Sequence, residues 1–166
     1  KNINSEDLEV PLNIIKKLGA KLDIGENTIT IESTNEIKAF NIKTESFPGF
    51  PTDLQAQFMV AATLADGESK IKEEIFPSRF IHVAELRKLG ANIKLENNTA
   101  IVNGVDSLNG ARMQASDLRA SACLIIAGIV AKKKSEIGRV YHLDRGYEKI
   151  DNKLRDLGVK IWREKE

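Results

Sequence analysis

Three arginines stand where local physics disfavours them. Capping and periodicity signals place helix starts close to Ser78, Ser116-Asp117 and Gly146, and Arg79, Arg119 and Arg145 lie at those starts. A helix opening carries partial positive charge and free N–H groups, so a cation there costs about 0.3–1 kcal/mol. An anion offsets that cost, because both helix N-termini and guanidinium forks bind phosphate or carboxylate. If the openings face one end of the domain, the three guanidiniums converge there. The alternative is that each pairs with a neighbouring acid or stays solvated. Asp53 is the main acidic candidate. Pro51-Thr52-Asp53-Leu54-Gln55 has capping-box form, with Thr52 as N-cap and Gln55 three residues on. Asp53 is then either a favourable first-turn acid or a carboxylate beside an anion site, able to accept a hydroxyl proton. Asp117 holds the matching place in Ser116-Asp117-Leu118-Arg119, as a helix cap, an orienting partner for Arg119, or a substrate contact.

Other reactive residues carry less. Phe47-Pro48-Gly49-Phe50-Pro51 reads as a rigid aromatic turn, with Gly49 permitting an unusual backbone angle, and as a candidate wall beside Asp53. Cys123 lies in an apolar helix interior and reads as a buried, inert thiol. His82 and His142 have no partner pattern and read as structural. Lys132-Lys133-Lys134 reads as a solvated helix end, and Trp162 as packed on a terminal strand.

The elements that must position these residues repeat. Val10–Ile31, His82–Val102 and Tyr147–Trp162 are each an amphipathic run ending in Leu-Gly, followed by an alternating stretch. Helical spacing switches to period two at Gly19, Gly90 and Gly158, where a left-handed C-cap is wanted. Glu26-Asn27 and Asn97-Asn98 read as hairpin turns. Thr52–Ile71 and Ser116–Ile137 form a second repeated half. The predicted unit is strand, helix, strand, helix, strand, strand, roughly 65–70 residues long. Units over 39–103 and 109–166 follow a half unit over 1–33, so the expected architecture is α/β with about two and a half units. The chain begins at Lys1 rather than Met, and a longer parent with more sequence upstream is expected. An exposed apolar patch near residues 1–33, or an oligomer covering it, should result.

Composition bounds the function. Of 166 residues, 25 are Lys or Arg and 24 are Asp or Glu; the net charge of +1 gives no bulk attraction to nucleic acid or to an anionic membrane. An apolar share of 42% is enough to build a core. A single cysteine excludes a disulfide framework and a multi-cysteine metal site, and fits a reducing compartment. No metal site and no cofactor is expected. No apolar run approaches the roughly 20 residues that span a bilayer.

FPGFPTDLQAQF (47–58), IFPSRFIHVAELRKLGA (75–91), ASDLRASACLIIAG (115–128) and HLDRGYEKIDNKLRDLG (142–158) closely resemble the UDP-N-acetylglucosamine enolpyruvyl transferases. The similarity is collinear over essentially the whole chain. The related 3-phosphoshikimate enolpyruvyl transferases share the repeat architecture and are the near alternative; a non-catalytic anion- or nucleotide-binding module is the alternative of another class. The resemblance implies transfer of enolpyruvyl from phosphoenolpyruvate to the 3′-hydroxyl of UDP-N-acetylglucosamine with release of phosphate, a cytoplasmic step that commits bacterial cells to peptidoglycan synthesis. It implies two similar domains, each an inside-out α/β barrel of repeated βαβαββ units, with the active site between them. This chain then corresponds to the second domain without its start, and its partner is the missing first domain. Carried residue by residue, Asp53 is the sugar-nucleotide aspartate and base. Ile75 is a sugar-nucleotide contact, Phe76 belongs to the same stretch, and Arg79 is an active-site arginine. Arg119 and Arg145 engage phosphoenolpyruvate or its phosphate, and Thr52 and Asp117 support them. The mobile loop bearing the family's acid belongs to the other domain, so the resemblance implies that this chain alone has no turnover.

Overall fold

A computed structural model describes residues 3–164, so positions 1–2 and 165–166 of the expected outer units lie outside the described residues. Helix α1 (Glu9–Lys17) buries Leu12 and Ile14, carries Lys16 and Lys17 in its last turn, and leads to Gly19. The same ending recurs after α3 (His82–Lys88) and α5 (Ile150–Asp156). Gly19, Gly90 and Gly158 have φ of +109°, +93° and +90°, the left-handed C-cap that the Leu-Gly pairs predict.

The hairpin turns also follow the sequence. Strands β1 (Lys21–Ile24) and β2 (Ile29–Glu32) pair antiparallel. A four-stranded sheet has the order β3 (Asn41–Lys43), β4 (Glu68–Lys72), β6 (Thr99–Asn103), β5 (Asn92–Glu96). Its β3–β4 pair is parallel, with α2 (Gln55–Thr63) crossing between, while β4–β6 and β6–β5 are antiparallel. A third, two-stranded sheet pairs β7 (Arg112–Gln114) with β8 (Glu136–Gly138) in parallel, joined through α4 (Leu118–Val130). Period-two burial in β4 turns Ser69 and Ile71 inward and Glu68, Lys70 and Lys72 outward.

Helices form the inner layer. Helix α4 packs against α2 and α3, and those two cover the inner face of the four-stranded sheet. Ala120 to Ile125 are buried without interruption, as expected of a helix enclosed on every side. Met59, Ile71, Leu86, Leu89, Val102, Met113 and Leu124 are fully or almost fully buried in one core. Each such aliphatic side chain contributes about 1.5–3 kcal/mol relative to exposure. Cys123 sits within this core, where burial pushes its thiol far above the ordinary range.

Backbone crowding sets the joints between layers. A Cβ at Gly104 would stand 1.6 Å from the Ala65 carbonyl oxygen, and one at Gly110 would stand 2.1 Å from that of Lys134. Ile24 and Ile31 are 50% and 53% exposed on the β1–β2 hairpin, within the region 1–33 where an exposed apolar patch is expected.

Two local expectations fail. Val159–Trp162 finds no strand partner among the described residues, and Trp162 is exposed rather than packed on a strand. Arg163 ties this segment down instead, bonding both carboxylate oxygens of Asp144 at 2.9 and 2.6 Å and Asp151 at 3.1 Å. Gly49 needs no unusual φ; the turn requires glycine because a Cβ there would lie 2.5 Å from Cβ of Glu45.

Candidate active site

The start of α2, the turn before α3 and the start of α4 meet at one end of the helical layer. Asp53 lies in the 3₁₀ turn Thr52–Leu54 that leads into α2. Its Oδ1 accepts from Arg79 Nη1 at 3.2 Å and from Arg119 Nε at 2.5 Å. Both guanidiniums take the same oxygen. Oδ2 of this largely exposed carboxylate has no protein partner among the described residues. Hydrogen bonding to Asp53 raises the Arg119 pKa further, against partial burial.

Thr52 does not cap α2. The helix is entered through a 3₁₀ turn, and the Gln55 side chain that a capping box would use is buried. The Thr52 hydroxyl accepts from Arg79 Nη1 at 2.8 Å and donates to Glu73 Oε2 at 2.9 Å. That polarity is forced, because a guanidinium offers only donors and a threonine carries one proton. Glu73, fully buried just beyond β4, also accepts from Thr44 Oγ1 at 2.7 Å and from the N–H groups of Ile75 and Phe76, both at 3.0 Å. The Phe76 ring lies under the Arg79 guanidinium, 4.1 Å from its carbon to the ring centroid.

Asp117 is the N-cap of α4. Its Oδ1 accepts from the N–H groups of Arg119 at 2.8 Å and Ala120 at 3.0 Å, and Ser116 Oγ donates to Oδ2. Burial opposes its charge, but the N–H of Ala120, the Ser116 hydroxyl and the N–H of Arg119 hold it below the ordinary aspartate range. These two amides at the α4 opening are therefore taken, and Arg119 presents its side chain alone. A small cavity of about 20 Å³ lies between Thr52, Arg79, His82, Asp117 and Arg119. His82 is 3% exposed, and its Nε2 faces no hydrogen-bond partner among the described residues. Burial lowers its pKa to about 4, although Asp117 pulls the other way.

The helix-start pattern is looser than the sequence suggests. Arg119 is in the first turn of α4, but Arg79 precedes α3 by a turn closed by Arg79 N–H to Phe76 O at 2.8 Å. Arg145 ends the 3₁₀ stretch Val140–Arg145, and α5 begins only at Ile150. Arg145 is exposed, and its side chain has no hydrogen bond or ion pair among the described residues; its neighbouring acid, Asp144, is occupied by Arg163. Its loop nonetheless flanks the site. A Cβ on Gly146 would press on Leu118 at 2.9 Å, and Tyr147 is close enough to act on Arg119. The aromatic turn forms no wall: Phe50 is turned into the core, 5.0 Å from the Phe58 ring, and Phe47 is exposed. Glu73 and His82 are the site groups that motif reasoning missed.

Helices thus lie within outer sheets, and Asp53 is held between Arg79, in the turn before α3, and Arg119, in the first turn of α4. The family model described as EPSP synthase (3-phosphoshikimate 1-carboxyvinyltransferase) matches residues 1–154, and the chain belongs to that family. Within it, the chain is 51% identical over 152 residues to a UDP-N-acetylglucosamine 1-carboxyvinyltransferase of Methylacidiphilum infernorum, covering 92% of this chain and 36% of that protein. It is 48% identical over 166 residues to the enzyme of the same name from Geotalea uraniireducens, covering all of this chain and 40% of the relative. The resemblance expected from the motifs is borne out. Among solved structures, the enolpyruvyl transferase NikO from Streptomyces tendae superposes with a TM-score of 0.84 at 24% identity, over 92% of this chain and 36% of NikO. EPSP synthase from Acinetobacter baumannii gives 0.61 at 14%, over 98% of this chain and 38% of that one. These likenesses establish the fold, a partial enolpyruvyl transferase architecture in which the described sheets do not close a barrel.

Proposed function

We propose that this chain is the part of a UDP-N-acetylglucosamine enolpyruvyl transferase that holds the sugar nucleotide and the phosphate of phosphoenolpyruvate. The observation that carries this reading is Asp53 bridged by Arg79 and Arg119, with its second oxygen open. The names of the relatives at 48–51% identity favour the UDP-sugar over 3-phosphoshikimate as acceptor. In this reading the half unit 1–33 and the units 39–103 and 109–166 make up one partial domain.

Enolpyruvyl transfer adds the 3′-hydroxyl across the double bond of phosphoenolpyruvate, with a proton taken from the attacking oxygen and one delivered to carbon; loss of a proton from that carbon as phosphate departs then restores the double bond. Asp53 Oδ2 is the acceptor for the first. Arg79, Arg119 and Arg145 neutralise the carboxylate and phosphate, for which planar guanidinium forks are suited. Ile75 and Phe76 form the sugar-nucleotide side. No side chain of this site supplies the proton to carbon; that group belongs to the other domain, which is the partner in catalysis. The chain spans 36–40% of the length of these relatives, and alone it binds without turning over. A cytoplasmic place in peptidoglycan synthesis follows from the same reading. Among the described residues no helix is long and apolar enough to cross a membrane.

The test is calorimetric titration of the chain with UDP-N-acetylglucosamine and with 3-phosphoshikimate, each repeated on Asp53→Ala. Binding of the UDP-sugar, lost in the variant, is expected. Equal affinity in the two proteins removes Asp53 from the site, and steady-state phosphate release by the unmutated chain refutes the division of labour.

A further inference from the structure

We infer that Glu73 is the positioning residue of this site: it fixes the Thr52 hydroxyl, and through it the Arg79 guanidinium, in the place where Asp53 is gripped. The inference rests on the proposed reading for its ligand, but its geometry stands on its own.

Sequence puts Glu73 one step past β4, in register with the inward-facing Ser69 and Ile71. An acid at an inward register is expensive unless every oxygen finds a donor. Here they do. Oε1 takes Thr44 Oγ1, Ile75 N–H and Phe76 N–H, and Oε2 takes Thr52 Oγ1. The backbone of Glu73 is itself held in both directions by the hairpin turn, with Glu73 N–H donating to Asn98 O at 2.8 Å and Asn98 Nδ2 donating to Glu73 O at 3.2 Å. A carboxylate so fixed sets two things at once. It defines the path of Ile75-Phe76, which carries the ring under Arg79. It also turns the Thr52 hydroxyl proton inward, so that the threonine oxygen presents a lone pair to Arg79 Nη1. The chain of donors runs Arg79 to Thr52 to Glu73 and cannot run the other way.

Glutamine at this position keeps the shape and breaks the chain. Its amide oxygen can serve the three donors on the Oε1 side, but its NH₂ then meets Thr52 as a second donor. The hydroxyl proton loses its acceptor and competes with Arg79. Thr44 provides the control: it bonds Glu73 but makes no hydrogen bond to Thr52, Arg79 or Asp53 among the described residues, and its own oxygen accepts from Glu74 N–H.

The experiment compares the unmutated chain with Glu73→Gln, Thr52→Val and Thr44→Val. Thermal unfolding, the side-chain ¹⁵N–¹H resonance of Arg79 and the backbone amides of Ile75 and Phe76 are followed without ligand. Titration with UDP-N-acetylglucosamine follows. Glu73→Gln and Thr44→Val should both lower the melting temperature, but only Glu73→Gln should move the Arg79 resonance and weaken the UDP-sugar by about tenfold, the loss of one hydrogen bond to a charged group. Thr52→Val should move Arg79 while leaving the Ile75 and Phe76 amides in place. An Arg79 resonance unmoved in Glu73→Gln, or displaced equally in Thr44→Val, overturns the inference. If Glu73→Gln does not fold, Thr52→Val decides: an unmoved Arg79 overturns the relay. If the unmutated chain binds no UDP-sugar, the functional reading fails, and the Arg79 resonances still decide the role of Glu73.

Discussion

Arg119 Nε stands 2.5 Å from Asp53 Oδ1, joining the start of α4 to the start of α2 across 66 positions of sequence. Arg79 completes the bridge from a third segment. In the proposed reading the acid stands where an anion would sit between the guanidiniums, and an incoming phosphate competes with it.

That competition has a sign. Asp53→Asn removes the internal anion and frees both arginines, so inorganic phosphate should bind more tightly, by up to about tenfold. The same substitution should weaken UDP-N-acetylglucosamine. Titrations of both ligands check this at low salt; parallel changes for the two would contradict it.

Arg145 should behave as a binding group with no structural duty. With its side chain exposed and unbonded among the described residues, it can be replaced by alanine with a stability change within about 0.5 kcal/mol. Phosphoenolpyruvate affinity should fall by about tenfold. Urea unfolding and calorimetry on Arg145→Ala separate the two effects.

Arg163 holds Asp144, the acid next to Arg145, and through their hydrogen bonds sets its carboxyl below the ordinary range. Arg163→Ala should release Asp144 toward Arg145 and reduce phosphoenolpyruvate affinity. Adding Asp144→Asn should restore it. No recovery in the double variant would show that Arg163 acts in some other way.

His82 makes stability depend on pH. Its folded pKa of about 4 lies below the ordinary 6.5, so the unfolded chain takes up a proton first as pH falls. Stability is complete above about pH 6.5, declines toward pH 4, and the loss levels off once the folded protein protonates too. Between pH 7 and pH 4.5 the decline assignable to His82 should be on the order of 2 kcal/mol. Urea titrations at the two pH values, on the chain and on His82→Gln, measure it as the part of the decline that the variant lacks.

Asp117 should matter first to folding. Asp117→Ala removes the cap of α4 and should cost about 1 kcal/mol, whereas Asp117→Asn retains a capping oxygen and should cost a few tenths. Denaturant midpoints for the two variants check the order.

Much of this was legible in residue order, because it depended on neighbours. The Leu-Gly pairs announced three helix ends, and Asn97-Asn98 announced a hairpin turn; both are local conformational facts. A gathering of Arg79, Arg119 and Arg145 beside Asp53 could be argued from helix-start signals; Asp53, Arg79 and Arg119 do meet, but only Arg119 lies in a helix's first turn, and Arg145 stands outside the bridge. Two failures show where neighbours stop deciding. Thr52-Asp53-Leu54-Gln55 has the spacing of a capping box, yet the core takes the Gln55 side chain and Glu73 takes the Thr52 hydroxyl. Glu73 itself sits in Lys-Ile-Lys-Glu-Glu, which looks like a solvated strand end. Counting by twos from Ser69 and Ile71 puts it inside, a signal present in the sequence but meaningful only once β4 is known to bury one face.

Gly104 and Gly110 bracket the short connection from the four-stranded sheet to the segment that begins the next one, and in each case the obstacle to a side chain is a carbonyl oxygen, not a movable group. Rotamer changes nearby cannot make room for even one methyl. Diversification of this protein, natural or engineered, is thereby channelled away from that joint of the architecture: alanine at either point forces apart the main chains that meet there, just beyond the ends of α2 and α4.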